Sequence, residues 1–192
     1  MNLANKLTLV RIILIPFFII SFYVPTLLYQ TVTIQDYQIP YANLVALGIF
    51  LLAAITDFID GYVARRFNMI TDLGKFIDPL ADKLLVAAAL LMLLDLSLIP
   101  AWAVFIILAR EFIVTGFRMV ASAKGRVIAA GQLGKLKTVV QFVMIANLLL
   151  LNYPFERYNV PLDQILVALA IILTIASGVE YIYHDIDLLK EN

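Results

Sequence analysis

Apolar residues in this chain come in long uninterrupted runs, not in the alternation of a half-buried strand or the single stripe of a surface helix. A bilayer core about 30 Å thick is crossed by roughly 20 apolar helical residues. Six runs approach that length: Leu7–Leu28, Ala42–Ala64, Phe76–Leu94, Ile99–Met119, Leu133–Leu151 and Leu162–Tyr183. The breaks between them carry turn chemistry at Pro40, Asn68–Gly74, Ser97 to Pro100, Lys124-Gly125 with Gly131, and Asn152 to Pro161. Gly74 and Pro100 stand where two of the segments open, and a proline fits the first turn of a helix. The pattern predicts an all-α integral membrane protein. It would be a single domain over 1–192, with six transmembrane helices after a short N-terminal juxtamembrane segment.

Composition strengthens this picture. Of 192 residues, 63% are hydrophobic and 15% charged, and the mean hydropathy is +0.96. A soluble domain is about 45–50% apolar and about 25% charged. The formal net charge is zero, which argues against an electrostatic nucleic-acid binder. The absence of cysteine excludes disulfides, thiolate metal sites and a cysteine nucleophile. Lys6 and Arg11 precede or open the first run, and no small-residue cleavage site follows it, so that run reads as a retained helix and not a signal peptide.

Basic residues orient the bundle. With a cytoplasmic N-terminus, the inner side receives Lys6, Arg11, Arg65, Arg66, Lys75, Lys83, Arg110, Arg118, Lys124, Arg126, Lys135, Lys137 and Lys190. Only Arg157 falls outside, so the positive-inside rule places both termini in the cytoplasm.

Five aspartates, at 57, 60, 72, 78 and 82, then gather at the cytoplasmic end of the second and third helices. Asp57 and Asp60 are spaced i,i+3 and Asp78 and Asp82 i,i+4, so each pair shares a helix face. Gly61 and Ala64 keep the first face small, and Gly74 lies one turn before the second pair. Asp72 reads as an ordinary helix-end aspartate. Crowding the other four beside lipid is costly, and bound divalent cations would offset that cost. An all-oxygen donor set without His or Cys favours Mg²⁺ or Mn²⁺ over zinc. Carboxylate clusters holding two hard metals recur in phosphoryl transfer.

The pattern D-x-x-D-G-x-x-A-R followed by G-x-x-x-D-x-x-x-D is complete at Asp57, Asp60, Gly61, Ala64, Arg65, Gly74, Asp78 and Asp82. It resembles the signature of the CDP-alcohol phosphatidyltransferases. The resemblance implies that Asp57, Asp60 and Asp78 bind two divalent cations, and that Asp82 assists them and takes the acceptor's proton. It also implies that the cytidine nucleotide lies against Gly61, Ala64, Arg65 and Gly74. Asn5 and Thr8, on one face with Arg11, are further candidates for nucleotide contact; a capped amphipathic helix start also explains them. No residue offers itself as a covalent nucleophile; the single histidine, His184, reads as interfacial. Direct in-line displacement of CMP is therefore expected.

The acceptor is read from a second group of charges. Arg110, Arg118, Lys135 and Lys137 lie around the fourth and fifth helices without an obvious acidic partner, although Glu111 adjoins Arg110. Lys124 and Arg126 read as anchors to anionic lipid. The four could take a second anionic group, which suggests a phosphorylated alcohol. N-K-L-T-L-V-R, G-K-F-I-D-P-L-A-D-K-L-L-V, A-R-E-F-I-V-T-G-F-R, G-Q-L-G-K-L-K-T and S-G-V-E-Y resemble the bacterial members of the family across essentially the whole chain. One departure is Ala4, where the family pattern has proline. The resemblance implies CDP-diacylglycerol as donor, glycerol 3-phosphate as acceptor, a site on the cytoplasmic face of the bacterial plasma membrane, and a homodimer.

Alternatives share parts of this pattern. Inositol-phosphate, phosphatidylglycerol and serine acceptors keep the aspartate signature, although serine leaves the basic group unexplained. A cation or proton transporter would spread its polar groups through the membrane depth. A prenyltransferase would also use Mg²⁺ on a pyrophosphate, but the chain has no second N-x-x-x-D-type motif and only six predicted helices.

Overall fold

The computed structural model describes residues 3–34, 37–67, 72–123 and 131–185, with side chains for 9–34, 37–56, 81, 83–121, 131–181 and 183. Six long helices carry the described chain: α1 (Leu3–Ser21), α3 (Tyr41–Phe67), α4 (Asp72–Asp95), α5 (Ala101–Ala123), α6 (Gln132–Leu149) and α7 (Leu162–Asp185). Between α1 and α3 lie a short helix α2 (Pro25–Tyr29) and two strands, β1 (Thr31–Ile34) and β2 (Tyr37–Pro40). The helix content and the five later long helices agree with the sequence expectation to within a few residues.

The first run differs from that expectation. It is not one helix over Leu7–Leu28: α1 stops at Ser21, whose hydroxyl donates to the Phe18 carbonyl at 2.7 Å. Pro25 is the cause, because it disfavours helical backbone at the residue before it, and Val24 is extended at φ −83°, ψ 113°. The proline then opens α2. Thr31-Val32-Thr33-Ile34, rich in β-branched residues suited to a strand, pairs antiparallel with β2 in the register Thr31↔Pro40 to Ile34↔Tyr37.

α1 packs along α3 and α4, α7 packs along α5 and α6, and α3 and α4 each meet α6. Phe18, Phe50, Leu85, Leu90, Leu93, Ile107, Met144 and Ile145 fill the core between them. The turn from α4 to α5 is closed by Leu98 N–H donating to the Leu93 carbonyl and Ser97 N–H to the Leu94 carbonyl, both at 2.9 Å. That is the Schellman arrangement, with Ser97 in the left-handed region at φ 58°. At the corresponding end of α6, the Asn43 side-chain amide donates to the Leu149 carbonyl at 3.0 Å and the Tyr37 hydroxyl to the Leu151 carbonyl at 2.6 Å. Helix C-termini leave carbonyls without intrahelical partners, and here the hairpin and α3 supply donors.

Among the described residues, many large apolar side chains face outward. Phe105, Phe112, Trp102, Leu52, Val139 and Ile172 are all more than half exposed. Soluble monomers rarely show such extensive apolar surface. Among the described residues, one helix is long and apolar enough to cross a bilayer, over Leu162–Tyr181 with mean hydropathy 2.1.

Candidate active site

Two helices carry the aspartate pattern. Asp57, Asp60, Gly61, Ala64 and Arg65 fall in the last turns of α3; Asp72 opens α4, with Gly74, Asp78 and Asp82 following in it. The helical backbone thus gives each pair the shared face its spacing predicts, and α3 and α4 are in contact. Asn5 and Thr8 fall in α1, the helix that packs on both. The side chains of Asn5, Thr8, Asp57, Asp60, Gly61, Ala64, Arg65, Gly74, Asp78, Asp82 and His184 lie outside the described residues, as do Lys124 and Arg126 altogether. Among the described side chains, no group of acidic or histidine residues could hold a metal ion. The donor set of the pattern itself, carboxylates alone on two touching helices, suits a hard divalent cation.

The basic group is described side chain by side chain, and it corrects one expectation: these cations do have an acidic partner. Glu111 on α5 accepts a hydrogen bond through Oε1 from Nζ of Lys137, which is 1% exposed. Its Oε2 lies 3.5 Å from Lys83 Nζ on α4, and Arg110 Nη1 lies 3.9 Å from Oε1. Lys83 also donates to the Thr115 hydroxyl, which in turn donates to the Glu111 carbonyl at 2.6 Å. Lys137 is therefore an interior cation oriented by a carboxylate, not a free surface lysine.

Arg110 lies against two glycines, closely only at the first. A Cβ on Gly178 of α7 would lie 3.3 Å from Arg110 Cγ, and one on Gly134 of α6 would lie 3.8 Å from its Nη2. Arg118 stands over the Tyr181 ring at 5.6 Å, a cation–π arrangement with α7. Lys135 is exposed. The structure thus brings Arg110 and Lys137 together around Glu111, sets Arg118 against α7, and leaves Lys135 at the surface. Sequence reasoning did not assign Glu111, Lys83, Tyr181 or Gly178. Glu111 had a signal: it is the only acidic residue in α5. Lys83 directly follows Asp82. Tyr181 and Gly178 had none, because their role arises from the approach of α7 to α5.

Comparison with known proteins adds three relatives and a family. The sequence profile of the CDP-alcohol phosphatidyltransferases matches residues 1–176. A protein of Bacillus subtilis named CDP-diacylglycerol–glycerol-3-phosphate 3-phosphatidyltransferase is 46% identical over 189 residues, covering 98% of this chain and 97% of the relative. Proteins of the same name from Rickettsia bellii and Salmonella paratyphi A are each 36% identical, covering 94% of this chain and 93% of theirs.

Proposed function

The chain belongs to the CDP-alcohol phosphatidyltransferase family, and from that premise we propose that it moves the phosphatidyl group of CDP-diacylglycerol onto glycerol 3-phosphate, releasing CMP and phosphatidylglycerol phosphate. The observation that carries this reading is the complete aspartate pattern at helical spacing on two helices in contact. The full-length similarity to relatives named for this reaction supports the acceptor.

In this reading α1, α3, α4, α5, α6 and α7 span the plasma membrane of a bacterium with both termini in the cytoplasm, and two copies form a homodimer. The β-hairpin and the α6–α7 turn then face outward, and the aspartates lie at the cytoplasmic edge. Asp57, Asp60 and Asp78, assisted by Asp82, hold two divalent cations, Mg²⁺ or Mn²⁺. When bound, these supply positive charge that neutralises the pyrophosphate. Gly61, Ala64 and Gly74 let the nucleotide approach the backbone closely, and Arg65, with Asn5 and Thr8, binds its polar groups. Arg110, Arg118, Lys135 and Lys137 bind the acceptor's phosphate and aim its hydroxyl. That hydroxyl oxygen attacks the phosphorus bearing diacylglycerol, the bond from that phosphorus to the CMP oxygen breaks, and Asp82 takes the proton. A membrane-edge site follows from the substrates: a donor anchored in lipid must meet an acceptor dissolved in water.

The test is CMP release by the purified protein in mixed micelles. Release from CDP-diacylglycerol should require both glycerol 3-phosphate and Mg²⁺ or Mn²⁺, and chelation should abolish it. Turnover with inositol phosphate, phosphatidylglycerol or serine in place of glycerol 3-phosphate would overturn the acceptor assignment. No turnover with any alcohol would overturn the reaction.

A further inference from the structure

We propose that Glu111 is a positioning residue for the acceptor site, fixing the cations of three helices around the place where the acceptor's phosphate enters. The inference rests on the reaction assigned above and adds a residue to it.

The geometry begins with an imbalance. Among the described side chains, Glu111 is approached by three cations: Lys137 from α6, Lys83 from α4 and Arg110 from its own helix. One carboxylate beside one lysine would satisfy a purely structural pair. Among the described side chains three cations share this one anion, and all four groups are only 1% to 22% exposed. Cations held together in so poorly hydrated a place make it favourable for an anion to enter.

Connectivity points the same way. Through Lys83, Glu111 reaches the residue that follows Asp82, and through Lys137 it reaches the helix that carries Lys135. The Thr115 hydroxyl, bonded to the Glu111 carbonyl, holds the Lys83 ammonium from the next turn of α5. Gln141, whose buried amide nitrogen has no hydrogen-bond partner among the described residues, lines a water-sized cavity of about 40 Å³ with Lys83, Glu111 and Thr138. Arg110 passes close to Gly178 of α7, where a Cβ would lie 3.3 Å from its Cγ, and reaches Gly134 of α6 with Nη2. Glu111 is thus where α4, bearing the reacting aspartates, is held in register with the cations of α5 and α6.

Simple electrostatics and positioning predict opposite outcomes when the carboxylate is removed. Deleting a negative charge beside an anion site should tighten the acceptor. Loss of positioning should weaken it, because cations displaced by as little as about 1 Å can cost a hundredfold. In the CMP-release assay, Glu111→Gln should raise the KM for glycerol 3-phosphate at least about tenfold, with the KM for CDP-diacylglycerol unchanged. Glu111→Asp keeps the charge and shortens its reach by one methylene, so its acceptor KM should fall between those of wild type and Glu111→Gln. It also carries the test if the glutamine variant does not fold. An unchanged or lowered acceptor KM in a folded variant overturns the proposal, including the case where only the unfolding temperature drops. Wild-type protein that turns over glycerol 3-phosphate normally while both variants keep its KM would sink Glu111 alone. Wild-type protein inert toward glycerol 3-phosphate would remove the acceptor assignment and this inference together.

Discussion

At the residue scale, the site separates charges that the sequence presents alike. Lys135 and Lys137 are two positions apart on α6, about 200° around the helix axis. One is exposed; the other is 1% exposed with its ammonium on Glu111. The proposed mechanism likewise separates the aspartates, with Asp57, Asp60 and Asp78 proposed to hold the cations and Asp82 to take the proton. Asparagine preserves shape and removes charge, so Asp82→Asn should lower kcat by about 10²–10⁴-fold, the range associated with a general base. Asp78→Asn should abolish CMP release at ordinary Mg²⁺. A fully active Asp78→Asn protein would overturn the cation assignment.

At the element scale, the turn after α6 is held by side chains far away in sequence. The α6 end depends on Asn43 and Tyr37, and Asn152 bridges the following turn by donating to Glu156 Oε2 at 3.1 Å and the Val160 carbonyl at 2.9 Å. Burial, with the carboxylates of Glu156 and Asp163 nearby, holds the Tyr37 hydroxyl above the usual tyrosine range. A raised value means that the bond's contribution is complete below about pH 10 and is lost as pH climbs through the folded-state value. Tyr37→Phe deletes this donor and should cost about 1 kcal/mol. The unfolding temperature should fall by about 2–4 °C, measured in detergent, while CMP release stays at the wild-type rate. A large loss of activity would show that the hairpin does more than clasp the turn.

At the scale of the whole molecule, apolar surface and internal charge exchange their usual places. Among the described residues α7 reads as an uninterrupted span, whereas Arg110, Glu111 and Arg118 interrupt α5 and Lys135 and Lys137 lower the hydropathy of α6. In the reading proposed above these charges serve the acceptor, so the reaction itself would lower the hydropathy of those two helices. The absence of native cysteine makes the proposed topology directly testable. Cysteine placed at Tyr29 or Tyr158, exposed by 86% and 70%, should react with an impermeant maleimide in intact cells. Cysteine at Asn192 should react only after lysis. The reverse pattern would invert the bundle.

The sequence by itself determined five of the six long helices and the aspartate pattern, because runs of apolar residues and i,i+3 and i,i+4 spacings are local properties of one chain segment. The break at Pro25 and the strand-forming Thr31–Ile34 were also written locally, but a hydropathy window averages across them. Tertiary structure alone decided the partners. Whether Lys137 meets Glu111, whether Arg110 passes close to Gly178, and whether Tyr37 closes α6 depend on which helix faces share the interior. Those faces lie up to 114 positions apart in sequence, the separation of Tyr37 from Leu151, and no periodicity within a single helix specifies which distant face it meets.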